Sequence, residues 1–120
     1  MKTIIERSDL LKALNHVQSV VERRNTIPIL SNVLLEADNG VLALTATDLE
    51  IEMRERVEAE IVQAGAITAP AHMLYDIVRK LPDGAQVELA TDETGGRLNL
   101  VAGKSAFTLQ ALPREDFPAM

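Results

Sequence analysis

The chain has 120 residues, 47% of them hydrophobic and 25% charged, with a net charge of -6 from 12 basic and 18 acidic residues. That is length enough for one domain with its own core, and an acidic balance that argues, taken as a whole, against nucleic acid. With no cysteine, one Tyr, two Phe and no Trp, disulfides and thiolate metal sites are excluded, and a base-stacking platform for single strands lacks its aromatics.

The segment Lys2–Glu6 alternates as a short strand. Ser8 and Asp9 then read as N-cap residues of a helix over 8–24, with Leu10, Leu11, Leu14, Val17 and Val21 on one face. Pro28 ends that helix. Two apolar runs, 33–37 and 41–45, flank Asp38-Asn39-Gly40, a strong hairpin signal. Leu49, Ile51 and Met53 alternate with Glu50, Glu52 and Arg54, the pattern of a half-buried antiparallel strand. Pro70 stands at the first position of a second helix reaching Lys80, whose apolar face is Met73, Leu74, Ile77, Val78 and Leu81. Pro82-Asp83-Gly84 closes it with a turn. Val87 and Leu89, Leu98 and Leu100, and Phe107 and Leu109 mark three more strands, separated by Gly95-Gly96 and Gly103-Lys104. Residues 112–120 form an exit segment, with Pro113, Phe117 and Pro118 extended and Phe117 packed on the domain.

The two halves share a pattern. Ile4, Leu10, Leu11 and Leu14 align with Ile67, Met73, Leu74 and Ile77; Leu44, Ala46, Ile51 and Met53 align with Leu100, Ala102, Phe107 and Leu109. This describes one βαβββ unit used twice: two helices and about eight strands, an α+β layer arrangement with helices on one side of antiparallel sheet.

Candidate chemistry is sparse. His16 and His72, one per helix, have no ligand spacing, even with Asp76 nearby, and read as polar positions on solvated helix faces. No glycine-rich loop joins a strand to a helix, and no serine sits in a nucleophile elbow. Glu50, Glu52, Glu55, Glu58 and Glu60 alternate with apolar residues and read as a solvated strand face. Neither an active site nor a metal or cofactor site is expected. No signal peptide precedes the first strand and no apolar stretch nears the ~20 residues that span a bilayer, so a cytoplasmic protein without a membrane partner is expected.

Charge is segregated. The helices, taken as 8–24 and 71–80, hold Lys12, Arg23, Arg24, Arg79 and Lys80 against Asp9, Glu22 and Asp76, a net of +2; the seven bases and fifteen acids elsewhere leave -8. Lys12, His16, Ser19 and Arg23 share one face of the first helix, and His72, Tyr75 or Asp76, and Arg79 one face of the second. Plain amphipathicity accounts for this, and so does a surface that tracks phosphates while acidic sheets repel DNA. A small α+β enzyme or a protein-interaction domain is the rival of a different class, supported by the pI of about 4.8.

Three stretches carry a resemblance: Asn25-Thr26-Ile27-Pro28-Ile29-Leu30-Ser31-Asn32, Leu44-Thr45-Ala46-Thr47-Asp48-Leu49-Glu50-Ile51-Glu52 and Leu112-Pro113-Arg114-Glu115-Asp116-Phe117-Pro118. In that combination and order they resemble bacterial sliding-clamp beta subunits, the processivity factors of the replicative polymerase. The similarity runs over the whole chain and covers only the first of the family's three related domains, so 1–120 is expected to be a single clamp domain. It implies a homodimeric six-domain ring with helices lining the hole and sheets outside. It also implies sequence-independent binding of duplex DNA, a clamp loader and replicative polymerase as partners of the full-length protein, and no catalysis. Arg24 matches a DNA-contacting arginine, and Arg79 a basic position on the second pore-lining helix; Arg23, Lys80, Lys12 and His72 join them as candidate DNA contacts. Phe107 and Leu109 match apolar residues of an edge strand at the subunit junction, where Lys104 and Arg97 are further candidates. Ala106 stands where relatives carry a basic residue.

Overall fold

The computed structural model describes residues 1–22 and 26–118. In chain order the elements are β1 (Lys2–Glu6), α1 (Arg7–Gln18), a 3-10 turn (Pro28–Ser31), β2 (Asn32–Asp38), β3 (Val41–Thr47), β4 (Glu52–Glu58), β5 (Glu60–Gln63), β6 (Gly65–Pro70), α2 (Ala71–Arg79), β7 (Gln86–Thr91), β8 (Arg97–Ala102), β9 (Ser105–Gln110) and a second 3-10 turn (Arg114–Asp116). One sheet runs β5-β1-β7-β8-β9 and the other β4-β3-β2-β6, with every pairing antiparallel.

The duplicated unit is visible in that order, with a twist the sequence pattern does not carry. Each unit's first strand crosses to the other unit's sheet. β1 pairs with β7, from Lys2 opposite Ala90 to Glu6 opposite Gln86, and β6 pairs with β2, from Asn32 opposite Pro70 to Ala37 opposite Gly65. Among the described residues β5 is the one strand without a counterpart, and it extends the first sheet beyond β1.

The helices are 12 and 9 residues long, too short to persist alone in water. Packing holds them. Leu10, Leu14 and Val17 of α1 and Leu74 and Val78 of α2 are fully buried in the same core as Leu35, Leu44, Leu89 and Leu100 of the sheets; each such side chain contributes about 1.5–3 kcal/mol by leaving water.

Local chemistry explains several departures from the sequence pattern. Ser8 and Asp9 lie inside α1; its N-cap is Glu6, which makes no side-chain cap bond, while Asp9 remains well placed beside the positive end of the helix dipole. The helix stops at Gln18 rather than 24, where the Ser19 hydroxyl donates to the His16 carbonyl at 2.7 Å and competes with the helical ladder. Pro28 opens a 3-10 turn. Pro70 closes β6 and caps α2 one position before the helix begins.

The Asn39-Gly40 turn forms as expected, with φ of 50° and 75°. The alternating run from Leu49 does not begin a strand. Residues 48–51 are a loop, with Leu49 at φ 81° and both Leu49 and Ile51 exposed. The Asp48 carboxylate accepts the N–H groups of Glu50 and Ile51 at 2.9 and 2.8 Å, and the Thr47 hydroxyl accepts that of Leu49. The β3–β4 hairpin has one more paired rung, Thr47 opposite Glu52, and this four-residue loop against the two-residue Gly103-Lys104 turn; together they insert four residues, so Glu55 occupies the place that Phe107 takes in the second unit. The alignment of Ile51 with Phe107 is off by that shift.

The exit segment is tied down. Ala111 donates to Gly96, and Leu112 and Thr68 exchange backbone bonds at 3.1 and 3.2 Å. Arg114 reaches Glu36 at 3.1 Å. Pro113 and Phe117 are extended and Phe117 is half-buried, as expected, but residues 114–116 turn between them.

The N–H bonds from Ile51 and Glu50 hold the Asp48 carboxyl below the usual carboxylate range. A folded-state pKa below the unfolded value of about 3.9 contributes stability above that value, lost as pH falls through the folded pKa. Asp48→Ala is therefore expected to speed amide exchange at Glu50 and Ile51 near neutral pH. That difference from wild type should shrink on acidification below the carboxylate range, measured by hydrogen exchange.

Candidate DNA-facing helix pair and sheet edge

The helices run antiparallel, and the first turn of each grips backbone at or just past the end of the other. Arg7 opens α1. Its Nε donates to the Val78 carbonyl at 3.1 Å and its Nη2 to the Arg79 carbonyl at 2.8 Å, while Nη1 meets Asp83 at 2.9 Å. The side chain is 12% exposed, and its charge lies against the carbonyl end of α2. At the opposite end, His72 in the first turn of α2 places Nε2 2.8 Å from the Val21 carbonyl, just past the end of α1. A carbonyl only accepts, so Nε2 carries the hydrogen. His72 Nδ1 is buried without a partner among the described residues. Neither contact has a local sequence signal, because Arg7 and His72 find their partners 71 and 51 positions away.

His72 is thus half-buried and engaged, not on a solvated face. His16 is exposed, but its Nδ1 lies 2.6 Å from Glu55 Oε1 on β4. The expected Lys12-His16-Ser19-Arg23 stripe is broken in consequence: Lys12 is exposed, His16 faces a carboxylate, and the helix ends before Arg23. On α2, Arg79 is exposed, 3.5 Å from Asp76 and over the Tyr75 ring at 5.8 Å, and Lys80 is exposed beside it. Arg23 and Arg24 lie outside the described residues. The carboxylate run divides across β4, with Glu52 and Glu58 on the solvent face beside Arg54 and Arg56, and Glu55 turned toward α1. Among the described residues no three His, Cys, Asp or Glu side chains converge as metal ligands.

The two units differ where helix meets edge strand. Over β4, the His16–Glu55 contact bridges from α1. Over β9, α2 leaves a mainly apolar groove of about 500 Å³ lined by His72, Met73, Ile77, Leu81, Pro82 and Phe107, with Asp76, Lys80 and Ser105 also on its wall. Phe107 and Leu109 share the inward face of β9 but have different surroundings. Leu109 is 1% exposed, within the domain's own core, whereas Phe107 is 37% exposed in the groove. Met73, expected in the core face of α2, is 53% exposed on the same rim. β9 ends its sheet with one neighbour, β8, so one row of its backbone groups is unpaired within the sheet. Lys104 and Arg97 are exposed, in the turn before β9 and at the start of β8.

A family model described as "DNA polymerase III beta subunit, N-terminal domain" matches residues 1–120. The chain is 59% identical over 120 residues to the beta sliding clamp of Caulobacter vibrioides, and 45% identical over 119 residues to that of Escherichia coli K12. These alignments cover 100% and 98% of this chain and 32% of each relative. The crystal structure of a DNA polymerase sliding clamp from Caulobacter crescentus superimposes with a TM-score of 0.97 at 59% identity, covering all of this chain and 32% of that one. A Bartonella birtlesii sliding clamp bound to griselimycin gives 0.96 at 52% identity, with the same coverage. The chain thus spans about a third of the length of the relatives it matches.

Replacing Arg7 by Lys keeps the charge but loses the fork that reaches two carbonyls. The expected loss is about 2 kcal/mol of unfolding free energy, the scale of a buried hydrogen-bonding group left unpaired, measured by urea denaturation.

Proposed function

The chain belongs to the family of the DNA polymerase III beta subunit N-terminal domain, and from that premise we propose that it is the first of three related domains in a ring-forming sliding clamp. Two such subunits join head to tail around duplex DNA and tether the replicative polymerase, and a clamp loader opens the ring. The match of sequence and backbone to sliding clamps from one end of the chain to the other supports this reading. The polymerase and loader are met by the full-length subunit. The role is mechanical rather than catalytic, it calls for no cofactor, and it belongs in the cytoplasm.

The helix pair faces the duplex in this reading. Arg24, Arg23, Arg79 and Lys80 meet phosphates, with Lys12 at the margin. Such contacts position without reading sequence, and their number sets the salt dependence of binding. The acidic remainder of the domain repels the duplex elsewhere and keeps the few bases effective. Arg24→Ala combined with Arg79→Ala in the full-length subunit is expected to weaken duplex binding and to lower the slope of log affinity against log salt by about two. An unchanged slope in a filter-binding or anisotropy titration removes both residues from the contact set.

The open β9 edge and its groove are proposed as one half of the subunit junction. The backbone row offers strand addition, Phe107 and Met73 offer apolar surface, and Lys104 and Arg97 offer a polar rim. Leu109 supports the edge from inside. Such a contact is heterologous, so ring closure needs a different domain of the second subunit. Phe107→Ala in the full-length subunit should weaken dimerisation by about 30-fold or more, the cost of truncating an interface hot spot, with the domain still folded. Leu109→Ala should instead lower domain stability by about 2–5 kcal/mol through a core cavity. Analytical ultracentrifugation and thermal unfolding separate the two.

A further inference from the structure

We propose that Arg7 and His72 are positioning residues for DNA binding: each, from the first turn of its own helix, fixes the backbone at the end of the other helix, where a pair of basic residues follows. The inference rests on the reading of the helix pair as the DNA-facing surface.

The two grips are alike in placement. Arg7 holds the carbonyls of Val78 and Arg79, the residues immediately at and before the Arg79-Lys80 pair. His72 holds the carbonyl of Val21, two positions before the Arg23-Arg24 pair in the sequence. Both attachment points are pinned a second time by burial, since Val78 and Val21 belong to the core cluster. Short turns finish both ends: Val20 and Val21 donate to Val17 and Gln18, and Lys80 and Leu81 donate to Ile77 and Val78. Val78 keeps the Leu81 N–H, but among the described residues the Arg79 and Val21 carbonyls have the side-chain grips in place of a backbone donor. A helix end without those grips would fray, and ordering two long basic side chains would then be charged against binding.

The same geometry separates His72 from a direct phosphate contact. Its Nε2 hydrogen is committed to Val21, and its Nδ1 is buried. Arg7 is likewise committed through Nε, Nη1 and Nη2. The Nε2 donor of His72 and three of the five N–H donors of Arg7 are thus engaged within the domain, and each side chain holds a backbone carbonyl close in sequence to a candidate phosphate contact.

The test uses the full-length subunit with His72→Phe, which keeps ring volume without a donor, His72→Gln, which restores one, and Arg7→Lys, which keeps the charge. Duplex affinity is titrated against salt, with Arg24→Ala and Arg79→Ala as references. The expected result is binding about tenfold weaker for His72→Phe and for Arg7→Lys, on the scale of re-ordering one or two long side chains. The salt slope should stay at the wild-type value, and His72→Gln should recover most of the affinity. Hydrogen exchange adds a local readout: beyond any rise shared by the whole domain through lowered global stability, His72→Phe should raise exchange further over 19–22 and not over 78–81, and Arg7→Lys the reverse. A slope lowered by about one for His72→Phe makes it a phosphate contact and overturns the proposal. So does exchange that rises evenly along both helices, which is general loss of stability. If Arg24→Ala and Arg79→Ala weaken binding while His72→Phe and Arg7→Lys do not, positioning fails and the DNA-facing reading stands. If the two arginine references also bind as wild type, the DNA-facing reading itself falls. Should His72→Phe not fold, Arg7→Lys decides the matter alone by the same criteria.

Discussion

Everything in the domain depends on the exchange of first strands between its two halves. β1 completes the sheet of the second unit and β6 completes the sheet of the first, so neither half has its own sheet without the other. The exchange puts the start of α1 next to the end of α2, because each helix begins where a borrowed strand ends. Two short helices that would not survive alone are thereby laid antiparallel over a common core. The grips of Arg7 and His72 follow from that arrangement. They are long-range in sequence and adjacent in space.

Pseudo-symmetry then makes the differences informative. The helix-to-edge gap over β4 is bridged by His16 and Glu55, while its counterpart over β9 is left mainly apolar, with Phe107 and Met73 showing. The divergence begins with a hairpin length. A loop two residues longer and one extra rung, Thr47 opposite Glu52, between β3 and β4 put a carboxylate in one place and an aromatic in the other. A small insertion in one hairpin is sufficient to make the two edges of a duplicated unit different.

Much of this was legible in the residues. Helix faces at 3.6-residue spacing, the Asn39-Gly40 hairpin and the Pro82-Asp83-Gly84 stop were each read from local chemistry, and the structure agrees. The duplication was legible as a pattern of apolar positions. Its strand exchange was not, because alternation shows that a strand has two faces and not which strand lies beside it. Leu49 and Ile51 misled for a related reason: period-two alternation continued through a loop held by Asp48 and Thr47. At the site, exposed bases such as Lys12, Arg79 and Lys80 were legible from amphipathicity. Leu109 was not distinguishable from Phe107, since both sit on the inward face of one strand and only α2's position decides which is covered. His72 was read as solvated because its partner, the Val21 carbonyl, is a backbone atom 51 residues away.

The claim that the helix face meets the duplex is tested most directly by proximity. In a full-length subunit whose only cysteines are introduced ones, Ser19→Cys on the helix side and Val101→Cys on the outer face of β8, both at exposed positions, would carry a photoactivatable crosslinker. The subunit would be loaded on circular duplex DNA before irradiation. Crosslinks from position 19 and none from position 101 are expected. Crosslinks from position 101 with none from position 19 would put the sheets against the DNA and contradict the arrangement.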